Sequence, residues 1–390
     1  MTEFPHERPA GCPFDPPVEL AELREQRPIT RLAFADGHQG WLVTSYALVR
    51  QVLADPRFSS RYELQHHPLV PAGTGPMPPA PVGDLSGMDA PGHTRLRKLL
   101  TGQFTVRRMR QLTGRVEEVT AEHLDAMQRQ GPPLDLLKAY AQPIPAVMIC
   151  ELLGVPYEDR ENFRRHAADG IAASTPEVQF TAFAALAEYI GDLVTAKRAH
   201  PTDDVLSDLT GTDLSDEELA GVGTLLLGAG LDTTANMIAL GTFALLRHPG
   251  QLAALREKPD LAGPAVEELM RYLTIAHTGI RTALEDVEVD GHLIKAGETV
   301  VLSANAANRD PSRFPDPDTL DLNRNATGHL GFAHGIHQCI GQQLARVELR
   351  VALPALVTRF PDLRLAVAPE QVPMRTDSHI YGVRELPVTF

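Results

Sequence analysis

The feature that most constrains the fold is a long, almost uncharged helical pattern in the middle of the chain. Ser215-Asp-Glu-Glu218 reads as a capping box, and the apolar pattern that it opens continues to about Leu246. At 1.5 Å per residue the predicted helix, Glu217–Leu246, spans on the order of 45 Å, which is enough to cross a domain. Between Glu218 and Arg247 the only charged residue is Asp232. A helix that is apolar on all sides is a buried one, so the sequence predicts a fold built around this helix.

The remaining patterns are also mostly helical. Amphipathic periodicity predicts further helices at Ser45–Ala54, Val106–Gln128, Val178–Arg198, Ala262–Leu273 and Ile340–Phe360. Strand-like alternation is limited to Gly40–Val43, Val287–Leu293 and Thr299–Ser303. The fold class that follows is mainly α with a small β-rich portion.

Two segments interrupt this pattern. Residues 1–17 are polar and rich in proline, and we expect a flexible N-terminal segment there. His66–Gly83 contains six prolines and three glycines among apolar residues, which excludes a helix or a central strand. Its apolar content favours an ordered lid, within a loop of about residues 60–90. We expect the 390 residues to form a single domain.

Charge and composition exclude several classes of function. The formal net charge of −14 argues against general nucleic-acid binding. The N-terminal region has no apolar run of membrane-spanning length, so we expect neither a signal peptide nor an anchor. Three widely spaced cysteines are unsuited to a disulfide framework and indicate a reducing cytoplasm.

One stretch of the chain is strongly basic. Between Pro91 and Arg115 there is no acidic residue, and the seven cations are Arg95, Arg97, Lys98, Arg107, Arg108, Arg110 and Arg115. A solvated helix face and a docking patch for an acidic partner explain this spacing equally well.

A glycine-bracketed loop near the C-terminus carries the strongest chemical signal. Phe332-Ala-His-Gly335-Ile-His337-Gln-Cys339-Ile-Gly341 leads directly into the predicted helix Ile340–Phe360. N–H groups of a first helical turn and the helix dipole favour a thiolate at Cys339. Such a sulfur is either a nucleophile or a metal ligand.

The long predicted helix contains a second unusual group of residues. Asp232 is a lone carboxylate in a buried helix, followed directly by Thr233. Gly228 and Gly230 lie one turn earlier, and each costs about 1 kcal/mol relative to alanine in a helix interior. Either the glycines permit close helix packing and Asp232 pairs with an arginine elsewhere in the chain, or the space serves a ligand.

A third pattern lies on the helix Ala262–Leu273. Glu268 and Arg271 are three residues apart on one face and are flanked by apolar residues, so a buried pair is expected. A buried ion pair requires a further partner.

Together these motifs resemble those of the cytochrome P450 monooxygenases. Phe-x-x-Gly-x-x-x-Cys-x-Gly is similar to the haem-ligating loop of that family, although Ala333 stands where glycine is frequent. Ala229-Gly230-Leu-Asp232-Thr233-Thr resembles its oxygen-activation motif, and Glu268-x-x-Arg271 with Arg324 its structural ion triad. The motif order matches over nearly the whole chain.

The resemblance implies a fold and a set of site residues. The long central helix would lie over haem b and the cysteine loop beneath it, with Cys339 ligating the iron, Asp232 relaying protons and Thr233 hydrogen-bonding dioxygen. The residues implied to contact the cofactor are His93, Arg97, Ala229, Gly230, Arg281, Phe332, His337, Cys339 and Gly341, of which His93, Arg97, Arg281 and His337 would neutralise the propionates. The implied substrate pocket includes Leu226, Ala229, Ile275, Ile380 and Tyr381.

The resemblance also implies an activity. A bacterial, actinomycete-type monooxygenase would hydroxylate or epoxidise a bulky lipophilic molecule with O2, and a macrolide or other polyketide is the favoured substrate. Electrons from NAD(P)H would arrive through a separate reductase and an iron–sulfur ferredoxin, which would dock on the basic stretch. We expect a cytoplasmic monomer that binds no membrane. The alternatives are a broad steroid or xenobiotic hydroxylase, a peroxide-driven peroxygenase and a non-catalytic haem sensor.

Overall fold

The structure is a computed structural model that describes residues 2–9, 11–68, 77–104, 106–159, 176–376 and 378–390. Twelve helices are numbered within this part of the chain. They are α1 (Glu19–Gln26), α2 (Tyr46–Ala54), α3 (Gly92–Thr101), α4 (Val106–Gln130), α5 (Pro143–Leu153), α6 (Pro176–Ala199), α7 (Val205–Thr210), α8 (Asp216–Arg247), α9 (Pro249–Glu257), α10 (Ala262–Leu273), α11 (Ala304–Asn308) and α12 (Gln342–Arg359).

Short strands form the smaller portion of the fold. They are β1 (Ile29–Ala33), β2 (Gln39–Val43), β3 (Phe58–Ser59), β4 (Leu134–Asp135), β5 (Thr278–Ala283), β6 (Val287–Val289), β7 (His292–Ile294), β8 (Thr299–Ser303), β9 (Arg364–Leu365), β10 (Met374–Arg375), β11 (Gly382–Val383) and β12 (Pro387–Thr389). The main sheet has the order β1-β2-β8-β5-β3, and β2 pairs with β8 in parallel. The mainly helical class with a small β-rich portion is confirmed.

Helix α8 lies in the centre of the helical core, as its sequence predicts. The Ser215 hydroxyl accepts a hydrogen bond from the Glu218 N–H, and the Glu218 carboxylate accepts one from the Ser215 N–H, which completes the capping box. The helix packs against α5, α6 and α12. It is long and apolar enough to cross a membrane, but 72% of its most apolar window is buried inside the protein.

One predicted strand is wrong in its extent. Val287–Leu293 is a hairpin of two strands, β6 and β7, rather than one. Asp290 and Gly291 turn the chain with φ of 48° and 73°. An Asp-Gly pair at positive φ is a preferred two-residue hairpin turn, so this dipeptide was the signal for the break.

Described residues of the N-terminal segment are packed against the body of the protein, and the flexibility of residues 1–17 stays a prediction. Phe14 is buried, and its ring meets the Phe243 ring edge-on with 5.0 Å between centroids. The Phe14 carbonyl accepts a hydrogen bond of 3.3 Å from Arg309. Thr2 forms a bridge with Leu32 beside β1. Buried aromatic anchors therefore hold a segment whose proline content indicated only the absence of regular structure.

The predicted lid is described at its two ends, and residues 69–76 of it lie outside the described residues. At its beginning, the His66 N–H donates to the Thr299 hydroxyl over 3.2 Å. At its end, the backbone at Val82 and Gly83 packs directly against α8. There is no room for a side chain at Gly221, since an added Cβ would lie 1.7 Å from the Val82 carbonyl oxygen.

Candidate active site

A cavity of about 430 Å³ lies between α8 and the loop that contains Cys339. The helix wall is the part of α8 from Leu225 to Met237 that faces the cavity, and the cysteine wall is the loop Phe332–Gly341 with the α12 turns that reach Leu349. The volume is within the range of small-molecule sites. Most of the lining is apolar.

The cysteine wall presents a sulfur to the cavity. All three cysteines are described, and Cys339 alone lines the cavity. Its N–H donates to the Phe332 carbonyl over 2.9 Å, which closes the loop. Burial raises the pKa of the Cys339 thiol, whereas the Gly341 N–H and the positive charge of Arg97 act in the opposite direction. Helix α12 begins at Gln342, two residues later than predicted, so Cys339 precedes the first turn.

The loop geometry depends on close backbone packing. Gly335 has φ of 76°, and a Cβ there would come within 2.3 Å of the Leu53 carbonyl oxygen of α2. Ala333 has φ of 57°, a left-handed conformation that is unfavourable for a residue with a Cβ. Alanine in place of the frequent glycine therefore introduces backbone strain at this position.

The helix wall presents a hydroxyl across from the cysteine wall. Thr233 lines the cavity, and its Oγ1 donates to the Ala229 carbonyl over 2.8 Å. A Cβ on Gly230 would approach Ile149 at 3.3 Å, so the neighbouring helix α5 is close there. At Gly228 a Cβ would meet nothing within 4 Å. Close packing thus accounts for Gly230 but not for Gly228.

Four predicted anchors lie together at one side of the cavity. His93 is buried one helical turn before Arg97 on α3, and its ring centroid is 4.2 Å from that of His337. Within the part of the chain that the structure describes, neither His93 ring nitrogen nor the His337 Nε2 has a hydrogen-bond partner. Burial lowers the pKa of Arg281 to about 10. Among the described residues, no carboxylate forms an ion pair with Arg97 or Arg281. Cations and buried ring nitrogens that lack a carboxylate partner among the described residues are suited to binding an anion.

Comparison with known proteins decides the family. The family model described as "Cytochrome P450" matches residues 191–381. Cytochrome P450 105C1 from Streptomyces sp. is 51% identical to this chain over 97% of its length and 96% of the relative.

The chain belongs to the cytochrome P450 family. Pentalenic acid synthase from Streptomyces avermitilis is 44% identical, with 99% of this chain and 97% of the relative covered. The solved structure of CYP105P1 in complex with filipin I superposes with a TM-score of 0.92 at 42% identity, covering 99% of this chain and 98% of that one. The expected fold is confirmed, and so is the expected enzyme class, a monooxygenase that binds haem through a cysteine thiolate.

The cavity of this P450 fits haem on the evidence of its own residues. Haem b carries two propionate carboxylates, and the unpaired cations and buried ring nitrogens at His93, Arg97, Arg281 and His337 are the donors that such carboxylates need. Cys339 faces the same cavity. Arg97, Arg281 and His337 line the cavity directly, whereas His93 lies behind His337.

Asp232 has a partner that the sequence did not predict. Arg375 of β10 contacts both of its carboxylate oxygens, at 2.7 and 2.8 Å, and Asn236 donates to Oδ1 over 2.9 Å. Pairing with an arginine elsewhere in the chain was one of the two alternatives that the sequence left open, and it did not point to Arg375. Arg375 is 143 positions away in the chain, and no local pattern links the two residues.

The ion triad forms as the resemblance implied. The Glu268 carboxylate binds Arg271 at 2.7 and 2.8 Å and accepts a hydrogen bond of 3.1 Å from the Arg324 Nε. Arg271 also donates to the Asn308 carbonyl over 2.9 Å. The Asn308 side chain in turn accepts from the Leu330 N–H over 2.7 Å. A buried ion pair on α10 thus connects to the start of the cysteine loop.

A carboxyl group that the sequence did not single out faces the cavity from α12. Glu348 is buried, and its Oε2 has no hydrogen-bond partner among the residues that the structure describes. Burial raises its pKa to about 8. Leu344 and Ala352, one turn before and one turn after, are buried on the same face. A charged residue within an apolar stripe was the signal that could have identified it.

Part of the expected substrate pocket lies elsewhere. Leu226, Ala229 and Ile275 line the cavity, but Ile380 and Tyr381 do not. The Tyr381 hydroxyl donates to the Pro13 carbonyl over 2.7 Å, and the Arg8 guanidinium lies 3.6 Å from the centre of its ring. Tyr381 therefore contacts the N-terminal segment instead of the cavity.

The structure divides the basic stretch into cations that are paired within the protein and cations that are not. Arg95 pairs with Glu218 at 2.6 Å, Arg108 with Asp208 at 2.8 Å, and Arg115 with Glu151 at 3.1 Å. Arg97 faces the cavity. Among the described residues, Lys98, Arg107 and Arg110 remain exposed with no ion-pair partner.

Proposed function

We propose that this P450 binds haem b through the Cys339 thiolate and oxidises a bulky lipophilic molecule with O2. The observation that carries the proposal is the position of Cys339, which lines the same cavity as Thr233 and as Arg97 and Arg281, two cations with no ion-pair partner among the described residues. His93, Arg97, Arg281 and His337 hold the propionates, while Phe332 and Gly341 frame the thiolate. The bound haem supplies the oxygen activation and C–H oxidation, which protein side chains cannot perform.

The residues of the helix wall position a hydroxyl and control protons. Because the Thr233 proton is donated to the Ala229 carbonyl, the Oγ1 lone pairs remain available to accept a hydrogen bond from the cavity. Asp232 carries protons from solvent towards this site. Arg375 holds both of its carboxylate oxygens, so proton delivery requires Arg375 to move away. Ala229 and Gly230 line the cavity with little side-chain volume and would leave room for O2 beside a bound haem.

The substrate class follows from the cavity lining. Leu226, Ile275, Leu85 and Ile149 are among the apolar side chains that line it, and an apolar surface of this extent favours a lipophilic molecule. A macrolide or related polyketide remains the favoured substrate, supported by the similar fold of CYP105P1 bound to filipin I. A steroid or xenobiotic hydroxylase of broad specificity is the second candidate, because the apolar lining offers few polar groups to discriminate between ligands.

Electrons are proposed to come from an acidic iron–sulfur ferredoxin and a separate reductase. The docking surface is narrower than the sequence suggested and consists of Lys98, Arg107 and Arg110 with the exposed side chain of Ile336 in the cysteine loop. Exposed cations that form no ion pair among the described residues are suited to a short-lived complex with an acidic protein. We further propose a monomeric, cytoplasmic protein of one domain.

Isotope labelling tests the reaction. Purified holoenzyme is supplied with labelled dioxygen, NADPH, a ferredoxin and its reductase, and a lipophilic substrate. One labelled oxygen atom in the product supports a monooxygenase. Product that forms only with added hydrogen peroxide and carries no label from dioxygen identifies a peroxygenase. Haem binding without product from either oxidant identifies a sensor.

A second experiment tests the docking surface. Reversal of charge at Arg107 and Arg110 should slow turnover supported by ferredoxin severalfold and leave peroxide-driven turnover unchanged. Reversal at Lys138, an exposed cation outside the basic stretch, is the control. Equal losses with both oxidants would contradict the proposed surface.

A further inference from the structure

Two adjacent glutamates on α10, Glu268 and Glu267, bind different parts of the protein. Glu268 braces the segment around Asn308, as described above. Glu267 instead reaches α12 and binds Arg346 through two contacts, Nε to Oε1 at 2.6 Å and Nη2 to Oε2 at 2.9 Å. Two parallel hydrogen bonds hold a guanidinium in one orientation, which a single contact does not.

A buried histidine fixes the other side of Glu267. The His329 Nδ1 accepts a hydrogen bond of 3.0 Å from the Gly331 N–H, so its proton is on Nε2. That Nε2 donates to Glu267 Oε2 over 3.1 Å. Only 2% of the His329 side chain is exposed. Burial opposes ionisation of Glu267, yet the hydrogen bonds from His329 and Arg346 bring its pKa down to about 2.

Arg346 is held against the cysteine wall. Its guanidinium carbon lies 4.5 Å from the centre of the Phe332 ring, within the range of a cation–π contact. Phe332 is the residue whose carbonyl accepts the Cys339 N–H. Arg346 also donates to the Gln342 side chain over 2.8 Å at the start of α12. Its positive charge acts on the Cys339 sulfur, alongside that of Arg97.

We propose that Glu267 and Arg346 form a charge pair that sets the reduction potential of the thiolate-bound haem, with Arg346 as the positive end beside Cys339. Glu267 and His329 are positioning residues in this account, because they act through Arg346. The proposal rests on Cys339 being the haem ligand. Groups outside the ligand shell that orient or charge a ligand are known to tune a metal centre.

The direction of the effect follows from charge. One-electron reduction adds a negative charge to the haem–thiolate unit, and a nearby cation stabilises the reduced form. Arg346→Gln should therefore lower the midpoint potential. Glu267→Gln keeps a hydrogen-bond acceptor for Arg346 but removes the compensating negative charge, so it should raise the midpoint potential.

The experiment is a spectroelectrochemical titration of the substrate-free holoenzyme and its variants. The expected result is a pair of shifts of opposite sign for Arg346→Gln and Glu267→Gln, with the double variant close to the wild type. Arg346→Lys should restore part of the potential, because it returns the charge without the two-point contact. Arg350→Gln is the matched control, since Arg350 lies 4.0 Å from the same carboxylate but is largely exposed.

Shifts of the same sign in both single variants, or none in either, would overturn the proposal. So would a shift in Arg350→Gln as large as that in Arg346→Gln. If Arg346→Gln fails to retain haem, the other two variants still decide the question. The proposal then requires a higher midpoint potential in Glu267→Gln than in Arg346→Lys. The reduced, CO-bound spectrum of the wild type separates this from the proposed function, since a thiolate spectrum upholds Cys339 ligation whatever the variants show.

Discussion

The two walls of the cavity are built in different ways. The helix wall is part of one continuous helix, α8, and its cavity-facing positions follow from local spacing along that helix. The cysteine wall is an irregular loop held by contacts from distant segments, namely Leu53 of α2, Asn308 of α11 and Glu267 of α10 through Arg346. The cost of mutation should follow this difference. Changes in the helix wall should affect chemistry, and changes behind the cysteine wall should affect folding and haem retention.

The largest expected effect comes from breaking the buried triad behind the cysteine wall. Glu268→Gln leaves Arg271, which is completely buried, without its carboxylate. Removing one partner of a buried pair costs roughly 3–5 kcal/mol, so the variant should lose haem and unfold at a much lower temperature. Thermal unfolding and haem content measure this. Lys295→Gln, in an exposed pair with Asp286, should cost about 1 kcal/mol or less, and equal losses in the two variants would contradict the comparison.

The next effect is the pH dependence of stability that is caused by Glu348, on the α12 side of the cysteine wall. Unfolding lets Glu348 ionise with its ordinary pKa of 4.5, whereas burial in the folded protein raises its pKa to about 8. Its contribution to stability is therefore fully present below pH 4.5 and is lost as the pH rises towards 8, at roughly 1 kcal/mol per pH unit.

Glu348→Gln removes this dependence, because glutamine does not ionise. The gap in Tm between the variant and the wild type should widen in favour of the variant across this pH range. Glu117→Gln, an exposed change on α4, should show no such trend. If the difference in Tm between Glu348→Gln and the wild type stays constant across this pH range, the Glu348 carboxyl is charged in the folded protein.

A smaller effect, on chemistry alone, is expected from the helix wall. Thr233→Ala should keep haem and substrate binding but divert electrons to peroxide, lowering product per NADPH severalfold. Thr224→Ala is a matched control, because Thr224 makes the same hydroxyl contact of 2.8 Å to the carbonyl four residues earlier but does not line the cavity. Unchanged product per NADPH in Thr233→Ala would remove the proposed role of its hydroxyl.

The smallest effect is a stabilisation of the cysteine loop. Ala333→Gly relieves a left-handed backbone at φ of 57°, which costs an alanine about 1 kcal/mol. The variant should unfold at a slightly higher temperature and keep its spectrum. A loss of stability would mean that the Ala333 methyl group contributes packing that outweighs the strain.

Much of the helix wall could be predicted from the sequence. The capping box and the uncharged run located α8 to within one residue at each end, and the Thr233 hydroxyl lies on the cavity side as expected. These features depend on residues close together in the chain. The buried pair of Glu268 and Arg271 was also predicted from spacing and apolar neighbours, whereas Arg324 as its third member came only through the resemblance to a known family.

The contacts that cross the fold could not be predicted. Nothing local indicates that Arg375 holds Asp232, that Glu267 holds Arg346, or that Phe14 anchors the N-terminal segment. Each is a pairing between segments brought together only by folding. The basic stretch shows the converse, since Arg95 and Arg108 of this run form ion pairs with acidic residues of α8 and α7 that are distant in sequence.

The spectrum of the reduced, CO-bound protein tests the central claim, that Cys339 is the thiolate ligand of the haem. The wild type and a Cys12→Ser control, whose altered residue does not line the cavity, should show the strongly red-shifted Soret band of a thiolate haem. Cys339→Ser should lack that band. A histidine-type spectrum in the wild type, or a red-shifted band that survives in Cys339→Ser, would contradict the account.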